Sequence, residues 1–212
     1  MTTNSLLTKL KSKERITQQH TSLQDVSTED LVLLIKGCLR QDRNSQHLLY
    51  LKYYGFALKI VYRYMGDYPA AIRLTNEVMI KVFRSFSDFK GLEHIALKHS
   101  FGRWIKDIFI QAVVGWSQSK ERSEIPATSS DQTETDIWDM ATADDVADAR
   151  LYRTLISQVL SLPLSHRLIF NLYVIDGYTA DEVAGISGMR VERAERYLSE
   201  ARTMLRDSTA GN

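Results

Sequence analysis

One cysteine, Cys38, stands in 212 residues. A lone thiol supplies neither a disulfide framework nor a cysteine-based zinc site, so a reducing compartment is the expectation. There are three prolines and ten glycines, and β-branched runs are few, which favours helix over strand. No apolar run approaches the ~20 residues of a membrane-spanning helix. The polar first residues contain no signal-peptide core, so a cytoplasmic location without membrane insertion is expected. Charge of one sign is not in excess either: 27 Lys and Arg face 26 Asp and Glu, leaving +1. A nucleic-acid binder of this balance has to segregate its charges along the chain. Enzyme signatures are also missing. The chain has no Gly-rich phosphate loop, no HExxH and no nucleophile–base pair, and His94 and His99 fall in a loop-like stretch without spaced partner ligands. The expectation is therefore a protein that is not an enzyme, with no catalytic residues, metal, cofactor or small-molecule substrate.

What is present is helical periodicity in two blocks. Residues 1–24 form a polar tail carrying Lys9, Lys11, Lys13 and Arg15. Residues 25–120 hold four helical patterns. The first is capped by Ser27-Thr28-Glu29-Asp30, with Leu31, Leu34, Ile35 and Cys38 inward. The second runs from about Ser45 to Met65, with Leu48, Leu49, Tyr53, Phe56 and Ile60 inward. After the Gly66-Asp67-Tyr68-Pro69 break, the third spans about Ala70 to Phe86 and buries Leu74, Val78, Val82 and Phe83. An irregular stretch follows, and the fourth spans about Ser100 to Ser117 around Phe101, Trp104, Ile105, Ile108 and Phe109. From 121 to 146 the composition turns polar and acidic, as a flexible linker does, although Ile137, Trp138 and Met140 interrupt it. Residues 147–208 form the second block. The fold class expected is all-α, two small helical domains joined by an acidic linker.

The second block carries the more specific signal. Pro163 suits a helix start, Leu168, Ile169, Leu172 and Tyr173 follow at helical spacing, and Gly177 suits a left-handed stop. Thr179 and Glu182 have capping-box spacing ahead of Val183, Ala184 and Ile186. Gly188 then supplies a turn before a helix striped with Val191, Ala194, Leu198, Ala201 and Leu205. A short helix, a glycine turn and a longer arginine-bearing helix is the grammar of a helix-turn-helix. A plain helical hairpin has the same grammar.

These residues also carry a family resemblance. Leu162-Pro163 with Arg167, Phe170 and Leu172, then Gly177-Tyr178-Thr179 with Glu182-Val183-Ala184, then Gly188, Leu198, Ala201-Arg202 and Leu205, resembles region four of an extracytoplasmic-function sigma factor. The first block is similar to region two of the same family. Leu34-Ile35-Lys36-Gly37-Cys38 with Asp42-Arg43, Leu49-Tyr50 and Tyr53-Tyr54 looks like its opening helices in Bacteroidetes members. Leu74 to Phe83 followed by Phe89-Lys90-Gly91 looks like its polymerase-docking helix, and Phe101-x-x-Trp104-Ile105-x-x-Ile108 like the segment after it. The resemblance spans roughly residues 27–206. It implies a promoter-specificity subunit of the sigma-seventy family that binds core RNA polymerase, reads two promoter elements and aids strand opening. It also implies an anti-sigma factor as a further partner.

Site residues follow from position in the resembling motifs. Arg190, Arg193 and Arg196 are expected near the DNA major groove, with Arg202 on phosphates. Lys98, Arg103 and Lys106 are expected on phosphates beside a loop, between Phe89 and Lys98, that grips a flipped base. Asn76, Glu77 and Lys81 are expected on the polymerase-docking face, and Trp104 and Ile108 in the core. Glu192–Arg196 and Arg196–Glu200, each four residues apart, have the spacing of simple surface pairs. The chain departs from the family at Ala71-Ile72-Arg73, Asn76 and Gln111, and Glu192 and Glu195 stand where the recognition helix usually lacks acids. Carboxylates there repel phosphates, yet a glutamate accepts a hydrogen bond from cytosine N4. Two alternatives are a two-domain helix-turn-helix regulator and a diverged polymerase-binding protein that reads DNA weakly.

Overall fold

Ser27 accepts a hydrogen bond from Asp30 N and opens helix α1, Thr28–Leu39, which buries the four residues expected of it: Leu31, Leu34, Ile35 and Cys38. Asp42 caps α2, Arg43–Met65, in the same way, and Gly66 ends it at φ 71°, a left-handed conformation that glycine adopts without strain. Asp67 caps α3, Tyr68–Arg84, whose second residue is Pro69. A single 3₁₀ turn, Phe86–Asp88, leads towards the long helix α4, Leu97–Ser123. Further on, a helical segment over 156–160 precedes α5, Leu164–Phe170, a π turn over Asn171–Ile175, α6, Ala180–Ser187, and α7, Val191–Ala210. The structure is a computed structural model that describes residues 27–92, 97–123 and 156–210. The expected linker, 121–146, overlaps α4, which runs on past Ser117 to Ser123. The rest of that linker, the expected tail over 1–24 and the start of the helix expected from 147 lie outside the described residues. Among the described residues there is helix and turn but no strand, so the fold is all-α.

Expected core positions are corrected in both α2 and α3. Leu48 is 47% exposed, and the inward line of α2 instead runs through Leu49, Tyr53, Ala57, Val61 and Tyr64. Leu48 lies about 100° round the helix from Leu49, which puts it outside the inward line at this end of α2. In α3 the buried residues are Ala71, Thr75, Val78, Met79 and Val82, while Leu74 and Phe83 are half-buried at the edge of that stripe. Trp104 and Ile108, expected in the core, are likewise half-buried and pack against its edge. The indole of Trp104 packs against Phe86, Phe89 and Phe101, with ring centroids 5.2–5.6 Å apart.

The halves before and after residues 124–155 share one apolar cluster. It runs from Leu31 and Phe101 through to Ile169, Leu172, Tyr178 and Val183, and α5 packs against both α2 and α4. The π turn positions the polar part of this contact. Asp176 N bonds Asn171 O at 2.8 Å, the extra residue in the turn shifting the chain as it leaves the helix. Buried Asn171 donates from Nδ2 to Arg167 O at 3.0 Å and to Arg63 O, across the contact, at 3.4 Å. Arg167 is itself buried, which lowers its pKa, and its Nη1 would stand 2.5 Å from a Cβ on Gly66. Gly66 is therefore favoured by its backbone angle, and a Cβ there would also have to displace the guanidinium packed over it.

Candidate nucleic-acid interface

The short-helix, glycine, long-helix unit forms as the spacing predicts. Thr179 Oγ1 accepts from Glu182 N, and the Glu182 carboxylate accepts from Thr179 N at 2.9 Å, completing the capping box. These hydrogen bonds from Thr179, backbone first, hold the Glu182 carboxyl below its ordinary pKa. Gly188, at φ 69°, ends α6 and turns the chain into α7. Ala194 and Ala201 are fully buried, while Val191, Leu198 and Leu205 are half-buried, so α7 lies on the rest of the protein by a narrow stripe.

Arg190, Arg193 and Arg196 converge on an open cleft of about 530 Å³ with Gly188, Met189 and Glu192. The Arg190 carbonyl accepts from the amides of Arg193 and Ala194, so its side chain leaves from the start of α7. Arg193 donates to the Tyr197 hydroxyl at 2.9 Å and lies 5.3 Å from that ring. Arg196 lies 5.9 Å from the same ring and pairs loosely with Glu200 at 3.8 Å, the second of the two surface pairs expected. Glu200 also meets His166 Nε2 at 2.8 Å. Arg202 does not join the group. It is exposed, but about 180° round α7 from Arg193 at ~100° per residue, so a groove held against Arg193 is not the groove beside Arg202.

The second set, Lys98, Arg103 and Lys106, shares one face of α4. With Phe56, Ile60, Arg63, His99, Gly102, Asp176, Gly177 and Tyr178 it lines a cleft of about 470 Å³ between the halves. Lys98 is exposed. The other two are turned towards the C-terminal half: Arg103 reaches Glu182 at 3.1 Å, and Lys106 reaches the Asp176 carbonyl at 3.2 Å and its carboxylate at 3.6 Å. Both cations also flank the Tyr178 ring, at 5.9 and 5.3 Å. The loop expected to grip a base is only partly within the described residues, since 93–96 lie outside them. Its first member, Phe89, is buried between Phe101 and Trp104.

The third set lies apart from both. Asn76, Glu77 and Lys81 are exposed on α3, and Tyr50 donates its hydroxyl proton to Asn76 Oδ1 at 3.1 Å. Ile80, 53% exposed, sits among them and completes a face with Arg73 and Arg84 at helical spacing. A bare isoleucine within a charged face gives a partner something to bury.

Sequence reasoning missed the residues that join the halves. Asp176 accepts hydrogen bonds from Arg63 Nη2 at 2.6 Å and from the Tyr64 hydroxyl at 2.5 Å. The side chains of Arg63 and Asp176 are only 9% and 5% exposed. Tyr178 donates to Asp107, and Gln118 donates to the Ser187 carbonyl at 3.3 Å. Burial foremost, with Asp107 adding, pushes the Tyr178 phenol well above its ordinary range. One signal was available: Arg63 is a lone charge inside Ile60-Val61-Tyr62-Arg63-Tyr64-Met65, a turn that is apolar or aromatic all round. Among the described residues no group of acids, histidines and cysteines has the arrangement of a metal site, and no helix is long and apolar enough to cross a membrane. No protein-family model matches the chain, and no curated protein matches it.

Proposed function

We propose that the protein is a promoter-specificity subunit of the sigma type, which binds core RNA polymerase and directs it to promoter DNA. One observation carries the reading. Arg190, Arg193 and Arg196 line a single open cleft at the start of a helix delivered by a capped short helix and a left-handed glycine. In a helix-turn-helix this is the part of the second helix that meets base edges. The sequence before it, from Leu34 to Ile108, resembles region two of the same family, in the right order. In this reading α7 reads one promoter element through Arg193 and Arg196, and the α4 face with Lys98, Arg103 and Lys106 follows the phosphates of the second. The α3 face of Asn76, Glu77, Ile80 and Lys81 docks on polymerase, and an anti-sigma protein would cover that face. Polymerisation chemistry belongs to the core enzyme, so the chain needs no catalytic group or cofactor of its own.

A second reading has its own support. Arg193 is already bonded to Tyr197, and Glu192 lines the same cleft. A polymerase-binding protein that reads DNA weakly would have such a helix. A reconstituted assay separates the readings. Core RNA polymerase is mixed with wild type, Glu77→Lys or Arg193→Ala/Arg196→Ala, and both complex formation and initiation on genomic fragments are measured. The sigma reading expects the first variant to lose the complex, and the second to keep it while losing initiation. Complex formation without initiation by wild type supports the second reading. No complex at all leaves a DNA-binding regulator that acts without polymerase.

A further inference from the structure

The contact between the halves uses the same cations that the DNA-binding reading assigns to phosphates. Arg103 faces Glu182, and Lys106 faces Asp176. Arg63, at the back of the same cleft, faces Asp176 as well. Both carboxylates come from the C-terminal half, one on the exit of the π turn and one on the capping box of α6. Carboxylate and phosphate oxygens present similar acceptors to lysine and arginine. A cation bonded to one in this geometry is not free to meet the other.

We propose that this contact is a charge-held latch, in which Asp176 and Glu182 occupy the places of nucleic-acid phosphates and must leave before the α4 face engages DNA. The proposal rests on the DNA-binding role given to α4 above. Its physical content is competition: latch and polyanion exclude each other at Arg103 and Lys106, so whatever weakens one strengthens the other. The geometry gives the order of importance. Asp176 is buried and faces three donors from the other half, Arg63, Tyr64 and Lys106. Glu182 is an outer, half-exposed partner of one. Gln118–Ser187 ties the halves without a cation, whereas Tyr178, bonded to Asp107, also carries Arg103 and Lys106 against its ring and so helps to hold them beside the carboxylates.

Two manipulations of the full chain test this. Asp176→Asn keeps the side-chain shape and removes the charge. The clamp is Gln111→Cys/Gly185→Cys, joined by a short reducible bismaleimide. Gln111 and Gly185 are exposed and line one cleft across α4 and α6, and nothing stands within 4 Å of a Cβ on Gly185. The native Cys38 is buried and takes no part. The probe is a labelled forked DNA with a single-stranded arm, read by anisotropy, and the same pair blocked with a monofunctional maleimide is the control. Asp176→Asn is expected to bind about tenfold more tightly than wild type, and the clamped pair about tenfold more weakly than after reduction. Equal binding by clamped and reduced forms overturns the latch, as does the absence of DNA binding in both. If Asp176→Asn fails to fold, the clamp decides alone. A response to the clamp in a chain that ignores core polymerase keeps the latch and removes the sigma reading. Initiation with core polymerase by a chain whose DNA binding ignores the clamp does the reverse.

Discussion

Replacing Asp176 with alanine should cost more than any other single surface-to-surface change between the halves. The carboxylate is 5% exposed and faces a guanidinium that is 9% exposed, so neither charge is much screened by water. Removing one partner of a buried pair costs about 3–5 kcal/mol, because the remaining charge stays desolvated. In a chain of this length each kcal/mol shifts the melting temperature by roughly 2–4 °C, so Asp176→Ala is expected to melt about 6–20 °C below wild type. Arg63→Met should cost less, since Lys106 and the Tyr64 hydroxyl still face the carboxylate. Arg63→Met/Asp176→Ala removes both charges together and should be more stable than the sum of the single changes by at least about 1 kcal/mol. The assay is urea and thermal unfolding of all four proteins by far-ultraviolet circular dichroism. Single changes that add to within about 0.5 kcal/mol, or an Asp176→Ala loss below about 1 kcal/mol, would refute the pair as the main polar tie.

Thr179→Ala should destabilise the protein by about 1 kcal/mol through loss of the cap on α6. Because Glu182 has a depressed pKa in the folded protein, its part of the capping box is present above the ordinary carboxylate pKa. That part is lost as pH falls through the depressed value, so the gap between wild type and Thr179→Ala in thermal melts should narrow in acid. Gly188→Ala should cost about 1 kcal/mol from its left-handed backbone alone, since its added Cβ would meet only Gln118 Nε2 at 3.9 Å. Gly66→Ala adds a clash with Arg167 Nη1 at 2.5 Å and should melt lower still; equal melting points for the two would contradict the packing of Arg167. Burial, with Asp42 adding, pushes the Cys38 thiol up to about 11. A disulfide reagent at neutral pH should leave it unreacted until the chain is unfolded, and rapid labelling of native protein would count against α1 as placed.

Much of this was legible because local chemistry and tertiary packing agree. Ser27, Thr179, Gly177 and Gly188 act through their immediate neighbours, and each turned up in the role its type and spacing indicate. Helix faces were legible to within a third of a turn, which is why Leu48 was misplaced beside Leu49, and why Leu74 proved an edge residue beside the missed Thr75 and Met79. The three arginines of the cleft were legible as a group because Arg190, Arg193 and Arg196 repeat every three residues at a helix start. Arg202 was added on motif position and falls on another face. The contact between the halves was not legible. Arg63 and Asp176 are 113 residues apart, and their meeting depends on a π turn at Asn171–Ile175 that no propensity marks. Arg103 and Lys106, expected on DNA phosphates, were judged on their own helix, without the carboxylates packed over them.

The most direct test of the sigma-type account is run-off transcription with core RNA polymerase and a pool of genomic promoter fragments, comparing wild type with Arg193→Ala/Arg196→Ala. The account predicts defined start sites that appear only when wild type is added and that fade with the double variant while the polymerase complex persists. Start sites unchanged by the chain, together with no complex between chain and polymerase, would contradict it.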